Sequence, residues 1–281
     1  MKKEVRTVCF DEELGLEAQH FEGFSQPFPN HFHDYYVIGF VEAGERRLSC
    51  RGREYTLTPG SIVLFNPGDN HACAQCDGGA FNYRGFHIPQ ETMRALAGEI
   101  TGQPTLPGFA RNVLHDSELA CALQTLHRLV MAGSREFEKE ETLLLVLSGL
   151  LERCGQPFER CVPDCPEEIE RVCAYLRTHC AERVTLDGLC GLAGLSKSTL
   201  IRAFTRSKGV TPYRYLENLR IGAAKRLLEQ GVPPVEAALR TGFSDQSHFT
   251  NYFTRFIGLP PGAYHEMFRK KAADGGDQHD A

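Results

Sequence analysis

The segment FTRSKGVTP at residues 204–212 returns as FTRFIGLPP at residues 253–261, and this repeat decides the fold of the C-terminal part of the chain. The offset is 49 residues, and it also maps Tyr215 onto Tyr264. Two copies are too few for a solenoid, which needs at least three repeats to bury a continuous core. The repeat therefore indicates one structural unit that is used at two positions.

The first copy has the pattern of a helix-turn-helix. Thr185 is the predicted N-cap of a short helix, and a Gly-Leu-Ser turn follows at 194–196. Glycine permits the positive φ of a sharp turn, and Ser196 can cap a second helix at 197–207. A short helix, a tight glycine turn and a second helix together make this motif.

The second copy repeats the order. A short helix at 235–240 is followed by the turn TGFS at 241–244, in which Ser244 is the predicted cap of a second helix at 245–257. Hydrogen-bonding side chains suited to the edges of DNA bases are predicted to face outward from the two second helices. They are Ser198, Thr199 and Arg202 in the first helix and Gln246, Ser247, His248 and Asn251 in the second.

A long helix at 211–230 is predicted to join the two copies, with Tyr215, Leu219, Ala223 and Leu227 as its buried stripe. At 1.5 Å per residue it is roughly 28 Å long. Successive major grooves on one face of B-DNA lie about 34 Å apart. One chain could therefore place two recognition helices in adjacent grooves.

The distribution of charge favours an anionic partner for this part of the chain. Residues 1–166 contain 15 Lys and Arg against 23 Asp and Glu, a net charge of −8. Residues 167–271 contain 16 against 10, a net charge of +6. A basic region of this kind is typical of nucleic-acid binding, although basic solvated faces are common.

The N-terminal half reads as strands and then as helices. Short apolar segments between turn signals predict strands, and these are typical of an antiparallel sandwich or barrel. The predicted strands are 35–42, 46–51, 53–57, 61–65 and 81–88. Two helices follow at 117–132 and 139–154. The first is amphipathic, with the apolar stripe Leu119, Leu123, Leu126 and Val130. Either both helices pack on the barrel, or the first helix is half of a dimer seam.

The longest apolar run, LLLVLSGLL at 143–151, is far shorter than the ~18–20 residues of a membrane span. We expect a cytoplasmic protein without a membrane partner. The eleven cysteines are scattered, and most are interpreted as small buried hydrophobic residues. Cys73 and Cys76 form one CxxC pair near His71, which leaves metal or redox chemistry as the less favoured reading.

The segments GLSKSTLIRAFTRSKGVTPYRYLENLRIGAAKRLL at 194–228 and GFSDQSHFTNYFTRFIGLPPGAYH at 242–265 resemble the AraC/XylS family of bacterial transcription regulators. The resemblance covers residues 167–269 and implies two helix-turn-helix subdomains that bind DNA as one unit. Matched by position, it implies base contacts from Ser198, Ile201 and Arg202 in the first helix. In the second helix it implies contacts from Gln246, Ser247, His248 and Asn251.

The segments HFHDYYVIGFVEAGERRL at 31–48 and LTPGSIVLFNPGDNHA at 57–72 resemble the cupin-like sensor barrel that many of these regulators carry. The resemblance implies an effector site, for which the candidates are His31, His33, His71 and Tyr83. Cupins arrange metal ligands as these histidines are arranged, but Val37 and Ile38 stand where a glutamate ligand is usual. Hydrogen bonding at the barrel mouth is the favoured role, with no metal and no cofactor; a three-histidine metal site stays open.

The expected fold is an α+β multidomain protein. A cupin-like antiparallel β-barrel followed by helices occupies residues 1–155, with effector binding and dimerisation as its roles. A linker at 156–166 precedes an all-α DNA-binding domain at 167–271, whose two helix-turn-helix subdomains are joined by a long helix. A polar tail occupies residues 272–281.

The expected function is that of a sequence-specific DNA-binding transcription regulator, not an enzyme and without catalytic residues. Its expected partners are a double-stranded operator, a small-molecule effector, a second copy of the chain and, for an activator, RNA polymerase. The alternative is a metal-dependent cupin enzyme with an accessory DNA-binding domain.

Overall fold

The computed structural model describes residues 4–76, 79–155 and 164–274. The chain divides into two compact units, Met1–Cys161 and Val162–Ala281. Most of the predicted linker at 156–166, and the predicted tail from residue 275 onward, lie outside the described residues.

The first unit is built on ten strands within the described residues, and every strand pairing there is antiparallel. A six-stranded sheet has the order β1-β2-β9-β4-β7-β10, and a four-stranded sheet has the order β3-β8-β5-β6. The strands are β1 (Val5–Asp11), β2 (Leu16–Phe24), β3 (Phe28–His31), β4 (Tyr36–Ala43), β5 (Arg46–Cys50), β6 (Arg53–Leu57), β7 (Ser61–Phe65), β8 (His71–Gln75), β9 (Phe81–Ile88) and β10 (Val113–His115).

Three helices complete the first unit: α1 (Gln90–Thr101), α2 (Ser117–Met131) and α3 (Glu138–Cys154). The apolar stripe of α2 is fully buried, and this helix packs against α3 and against β1, β2 and β9. The stripe therefore packs within the protomer. That α2 forms half of a dimer seam stays a prediction.

His127 of α2 fixes this helix to the six-stranded sheet. Its side chain is fully buried, and its Nε2 lies 2.9 Å from the backbone oxygen of Gln19. The imidazole sits between the rings of Phe40 and Phe86, at centroid distances of 6.3 and 5.7 Å. Burial lowers the pKa of His127 to about 4, so the ring is neutral at physiological pH.

The second unit is all-helical within the described residues. Its helices are α4 (Pro166–His179), α5 (Leu186–Ala193), α6 (Lys197–Lys208), α7 (Pro212–Glu229), α8 (Pro234–Arg240), α9 (Gln246–Ile257) and α10 (Pro261–Asp274). The pairs α5–α6 and α8–α9 are the two predicted helix-turn-helix units, and α7 is the predicted joining helix. Helix α10 includes residues 272–274, which the sequence analysis assigned to the tail.

The buried stripe of α7 differs from the prediction by one residue. Leu216, Arg220, Ala224 and Leu228 are buried, whereas the four predicted residues are only half-buried. The polar Arg220 lies on the buried side, and its Nε donates to the backbone oxygen of Cys180 at 2.8 Å. A stripe chosen from apolar residues alone shifts in phase when a buried charged residue is part of the core face.

Candidate effector cavity and nucleic-acid interface

A cavity of about 260 Å³ lies between the two sheets of the first unit. This volume equals that of roughly nine water molecules, which suits a small ligand. Its walls are mainly apolar and aromatic, and side chains from both sheets contribute to them: Phe21, Phe28, Leu48, Phe65 and Phe81 are examples. Enclosed apolar sites with a few polar groups are the usual form of a small-molecule site.

The polar end of the cavity is a cluster of three histidines. His31 ends β3 and pairs directly with His71 at the start of β8, while His33 follows in the segment before β4. The ring centroids are 4.3 Å apart for His31 and His71, 4.8 Å for His31 and His33, and 5.2 Å for His33 and His71. One nitrogen of each ring lies within 4.8 Å of the other two.

Backbone carbonyls fix the tautomers of two of these rings. Nδ1 of His31 lies 2.7 Å from the oxygen of Pro29, and Nδ1 of His71 lies 2.9 Å from the oxygen of Asp69. A carbonyl oxygen can only accept, so each Nδ1 carries the proton and donates it. The lone pair of each ring is then on Nε2, where it is available to a ligand.

Burial disfavours the charged form of two rings of the cluster, His33 and His71. Burial, with the neighbouring His71 and His31, lowers the pKa of His33 from 6.5 to about 4. Burial also lowers the pKa of His71. Both rings are therefore neutral near pH 7, and they can accept a hydrogen bond or coordinate an ion.

A fourth histidine, His87 on β9, was missed by the sequence analysis. It also lines the cavity and stacks on Tyr35 at a centroid distance of 4.4 Å. Its Nδ1 lies 3.0 Å from Nε2 of Gln19 and 3.2 Å from a carboxylate oxygen of Glu17. Burial lowers the pKa of His87, against the opposing effect of Glu17. Its position in the sequence could have indicated this. Side chains alternate between the two faces of a strand, and His87 lies two residues after Gly85 and four after Tyr83, so it shares their face.

Tyr83 lies across two opposed glycines. Gly39 of β4 pairs with Gly85 of β9, and a Cβ added at Gly39 would lie 2.0 Å from the Tyr83 hydroxyl oxygen. A Cβ added at Gly85 would lie 2.8 Å from the same oxygen. The phenol therefore rests on a patch that has no side chains. Burial raises the pKa of Tyr83, so the hydroxyl stays protonated and can donate.

The structure brings the four predicted effector residues together. His31, His33, His71 and Tyr83 all line the one cavity, although they lie on β3, on β8, on β9 and in a connecting segment. Their role in binding remains a prediction. Of the CxxC pair, Cys73 lines the cavity while Cys76 is exposed. Burial raises the pKa of Cys73 to about 11, which disfavours thiolate chemistry there.

In the second unit, matching caps define the two recognition helices. The Ser196 hydroxyl accepts from the backbone N–H of Thr199 at the start of α6. Asp245, not the predicted Ser244, caps α9 by accepting from the backbone N–H of His248 at 2.6 Å. The caps keep the 49-residue offset, but the glycines of the turns, Gly194 and Gly242, are 48 residues apart. The second turn is one residue longer, and this moved the cap.

The repeated residues are structural. Phe204 contacts Tyr215 edge-on at 5.4 Å, and Phe253 contacts Tyr264 in the same way at 5.5 Å. Each recognition helix ends at a glycine with positive φ, Gly209 or Gly258. The N–H of that glycine donates at 2.8 Å to the oxygen of the threonine four residues earlier. The identical positions therefore maintain the fold of each helix-turn-helix unit.

The predicted base-reading side chains divide by exposure. In α9, Gln246, Ser247 and Asn251 are exposed and His248 is half-buried. In α6, Thr199 and Arg202 are half-buried, but Ser198 and Ile201 are 4% and 1% exposed. The base contacts implied for all of these residues stay a prediction.

The loop between α4 and α5 holds the two helix-turn-helix units together. Arg220 of α7 donates to the backbone oxygens of Cys180 and Glu182 at 2.8 and 3.1 Å. In the second turn, a Cβ added at Gly242 would lie 2.7 Å from the oxygen of Ala181. The loop is thus in contact with both the joining helix and the second turn. These contacts fix the spacing of the two helix-turn-helix units.

Comparisons with known proteins agree with this arrangement. Residues 13–148 match the model of the AraC-like ligand binding domain, and residues 189–267 match a helix-turn-helix domain. The chain is 47% identical to the uncharacterized HTH-type transcriptional regulator YbfI of Bacillus subtilis, over 88% of this chain and 90% of that protein. It is 30% identical to the HTH-type transcriptional activator RhaS of Escherichia coli O139:H28, over 83% of this chain and 86% of RhaS.

A solved structure of a probable AraC family transcriptional regulator from Rhodopseudomonas palustris is also similar. It has a TM-score of 0.35 and 28% identity, and it covers 36% of this chain and 97% of that one. The curated relatives YbfI and RhaS are named as transcription regulators, a class without enzymatic activity. Within the described part of the chain, no helix is long and apolar enough to cross a bilayer.

Proposed function

Because the chain belongs to the AraC family of helix-turn-helix transcription regulators, we propose that it binds one operator sequence under the control of a small molecule held in the N-terminal cavity. The observation that carries the proposal is the pair of matched helix-turn-helix units in one compact body. Their caps, terminal glycines and Phe–Tyr contacts agree at a 49-residue offset.

DNA recognition is assigned to α6 and α9. Thr199 and Arg202 on α6, and Gln246, Ser247 and Asn251 on α9, supply donors and acceptors for base edges. Helix α7 has 18 residues and is therefore about 27 Å long. Since adjacent major grooves are about 34 Å apart, the two recognition helices suit successive grooves of one duplex.

The effector is assigned to the cavity between the sheets. The mainly apolar wall favours a small, largely apolar molecule, and the histidine cluster with Tyr83 offers hydrogen bonds to one polar group. Binding would change DNA affinity only if the ligand has a different affinity for the two states of the protein. We further propose a homodimer that acts in the cytoplasm, where its DNA target lies. The relative RhaS is named an activator, and this supports the proposal that the chain acts by contacting RNA polymerase.

The experiment is selection of duplexes by the full-length chain from a randomised pool, followed by salt titration of the enriched site. We expect one enriched sequence about two helical turns long, with an affinity that falls as salt rises. Asn251→Ala and Arg202→Ala should each cost ~1–3 kcal/mol and relax the preference at one position. Ser244→Ala is the matched control, because Ser244 is exposed but does not cap the helix. Enrichment that is equal for all sequences would refute the proposal.

A further inference from the structure

We propose that the effector is an uncharged vicinal diol on an apolar ring, and that its two hydroxyl groups donate hydrogen bonds to His31 and His71. The inference rests on the proposed function, in which the cavity of the first unit holds the effector. It adds the chemical class of that molecule: a small ring compound with two adjacent hydroxyl groups and a carbon skeleton that is otherwise bare.

The polar end of the cavity presents two hydrogen-bond acceptors side by side. His31 and His71 donate Nδ1–H to the backbone oxygens of Pro29 and Asp69, at 2.7 and 2.9 Å. Each ring keeps the lone pair of Nε2, which accepts a hydrogen bond. The two residues are direct partners across β3 and β8, and their ring centroids are 4.3 Å apart. A single hydroxyl group has one proton for these two acceptors, whereas two hydroxyl groups on adjacent carbons have one for each.

The same end of the cavity disfavours an anion. Of the described residues that line it, none carries an ammonium or a guanidinium group. Arg6 and Arg46 contact the lining rings of Phe21 and Phe81, with guanidinium carbons 5.8 and 5.0 Å from the ring centroids, but neither arginine lines the cavity itself. A carboxylate only accepts hydrogen bonds, so it would face the two Nε2 lone pairs with lone pairs of its own. A buried charge without a partner is costly, and the effector is therefore uncharged.

The rest of the wall limits how many polar groups the effector carries. Phe28, Leu48, Phe65 and Phe81 are among the apolar side chains that line it. A hydroxyl group that faces them would be buried without a partner, which costs free energy. A sugar has hydroxyl groups around its whole ring and is therefore disfavoured. A ring with two adjacent hydroxyl groups places both at the histidines and turns its carbon atoms to the wall, and the volume of about 260 Å³ has room for one such ring.

The test is calorimetric titration of the full-length chain with three compounds of nearly the same shape: catechol, 2-methylphenol and 1,2-dimethylbenzene. Each step replaces one hydroxyl group with a methyl group. Every titration contains a reducing agent and EDTA, so that metal ions do not mediate binding. We expect saturable binding of one catechol per chain. Affinity should fall by about 10- to 100-fold for 2-methylphenol and again for the hydrocarbon, because each step leaves one buried acceptor unpaired. Benzoate, as the anion, and glucose, as the polyol, should bind more weakly than catechol.

His31→Leu connects this preference to one of the two acceptors. It should remove most of the 10- to 100-fold advantage of catechol over 2-methylphenol, a difference that a purely structural defect would leave in place. His179→Leu, which removes a histidine of the second unit, is the matched control and should keep the advantage. Circular dichroism checks the folding of both variants. If His31→Leu does not fold, the series of compounds still decides the question on the unaltered chain.

Four results would overturn the proposal. They are equal affinity for the three compounds, no binding of catechol in EDTA, tighter binding of benzoate or glucose, and a preference for catechol that persists in folded His31→Leu. These failures are distinguishable from failure of the proposed function. Operator selection is a separate readout, and tight binding of benzoate would refute the diol while it supports the cavity as an effector site.

Discussion

Replacing Gly39 with alanine tests whether the cavity is shaped by the Tyr83 phenol lying on bare backbone. The new Cβ would lie 2.0, 2.3 and 2.4 Å from Oη, Cζ and Cε2 of Tyr83. Ordinary contacts between heavy atoms are about 3.5–4.0 Å, so the hydroxyl end of the ring has to move by roughly 1.5 Å or more. Gly39 lies in the centre of β4, paired with Gly85, which leaves the backbone little freedom to yield.

The expected cost is that of overpacking a core, about 1–3 kcal/mol. Urea unfolding of the full-length chain, followed by near-ultraviolet circular dichroism of tyrosine, measures it through the shift in midpoint at constant slope. Gly108→Ala is the matched control, because its Cβ would meet nothing within 4 Å. That variant should stay within about 0.5 kcal/mol of the unaltered chain.

A double variant tests the cause. If the clash with Tyr83 is the origin of the cost, adding Gly39→Ala to Tyr83→Ala should cost much less than adding it to the unaltered chain. A coupling of about 1 kcal/mol or more is expected for two groups in direct contact. The reasoning is refuted if Gly39→Ala behaves like Gly108→Ala, or if its cost is the same with and without the phenol.

Three further predictions concern stability. Because burial lowers the pKa of His127 to about 4 from about 6.5 in the unfolded chain, the unfolded state binds the extra proton between these values. The free energy of unfolding should therefore fall by up to about 3 kcal/mol as pH drops from 6.5 to 4. In His127→Gln, the slope of this free energy against pH over the same range should be smaller by the equivalent of about one bound proton. An unchanged slope would contradict this. Asp245→Ala should cost about 1 kcal/mol by removing the cap of α9, while Ser244→Ala should cost little, as measured by thermal unfolding of the two variants side by side. Gly242→Ala should destabilise more than Gly194→Ala, since both have positive φ but only the first would meet Ala181, with its oxygen 2.7 Å away; equal melting temperatures would contradict that contact.

Local chemistry made most of the second unit predictable. N-caps, turn glycines and the apolar face of a short helix depend on residues close in sequence, so Thr185, Ser196 and the bounds of α6 follow from the chain alone. The cap of α9 was predicted wrongly. Aligning the two copies at their turn glycines places Ser244 opposite Ser196, but the second turn has one more residue, and Asp245 is therefore the cap.

The first unit was less predictable because its contacts join residues that are distant in sequence. Strands β4, β5, β6, β7 and β9 lie close to their predicted positions, whereas β1, β2, β3, β8 and β10 were missed. Strand β1 is at the edge of its sheet and is largely exposed, so it lacks an apolar pattern. The three clustered histidines could be named from their spacing. His87 and the pair Gly39 and Gly85 required the β4–β9 register, which no local pattern encodes.

The central claim is that the two helix-turn-helix units read one duplex together. The most direct test compares the affinity of the full-length chain for two duplexes. One is the selected site, and the other is the same site with five base pairs inserted between its two contacted segments. The insertion rotates one segment by about half a helical turn relative to the other. Since the loop around Ala181 contacts both the joining helix and the second turn, the protein cannot follow this change. The account predicts that affinity falls to the level of a duplex with only one segment. Affinity that is unchanged by the insertion would contradict it.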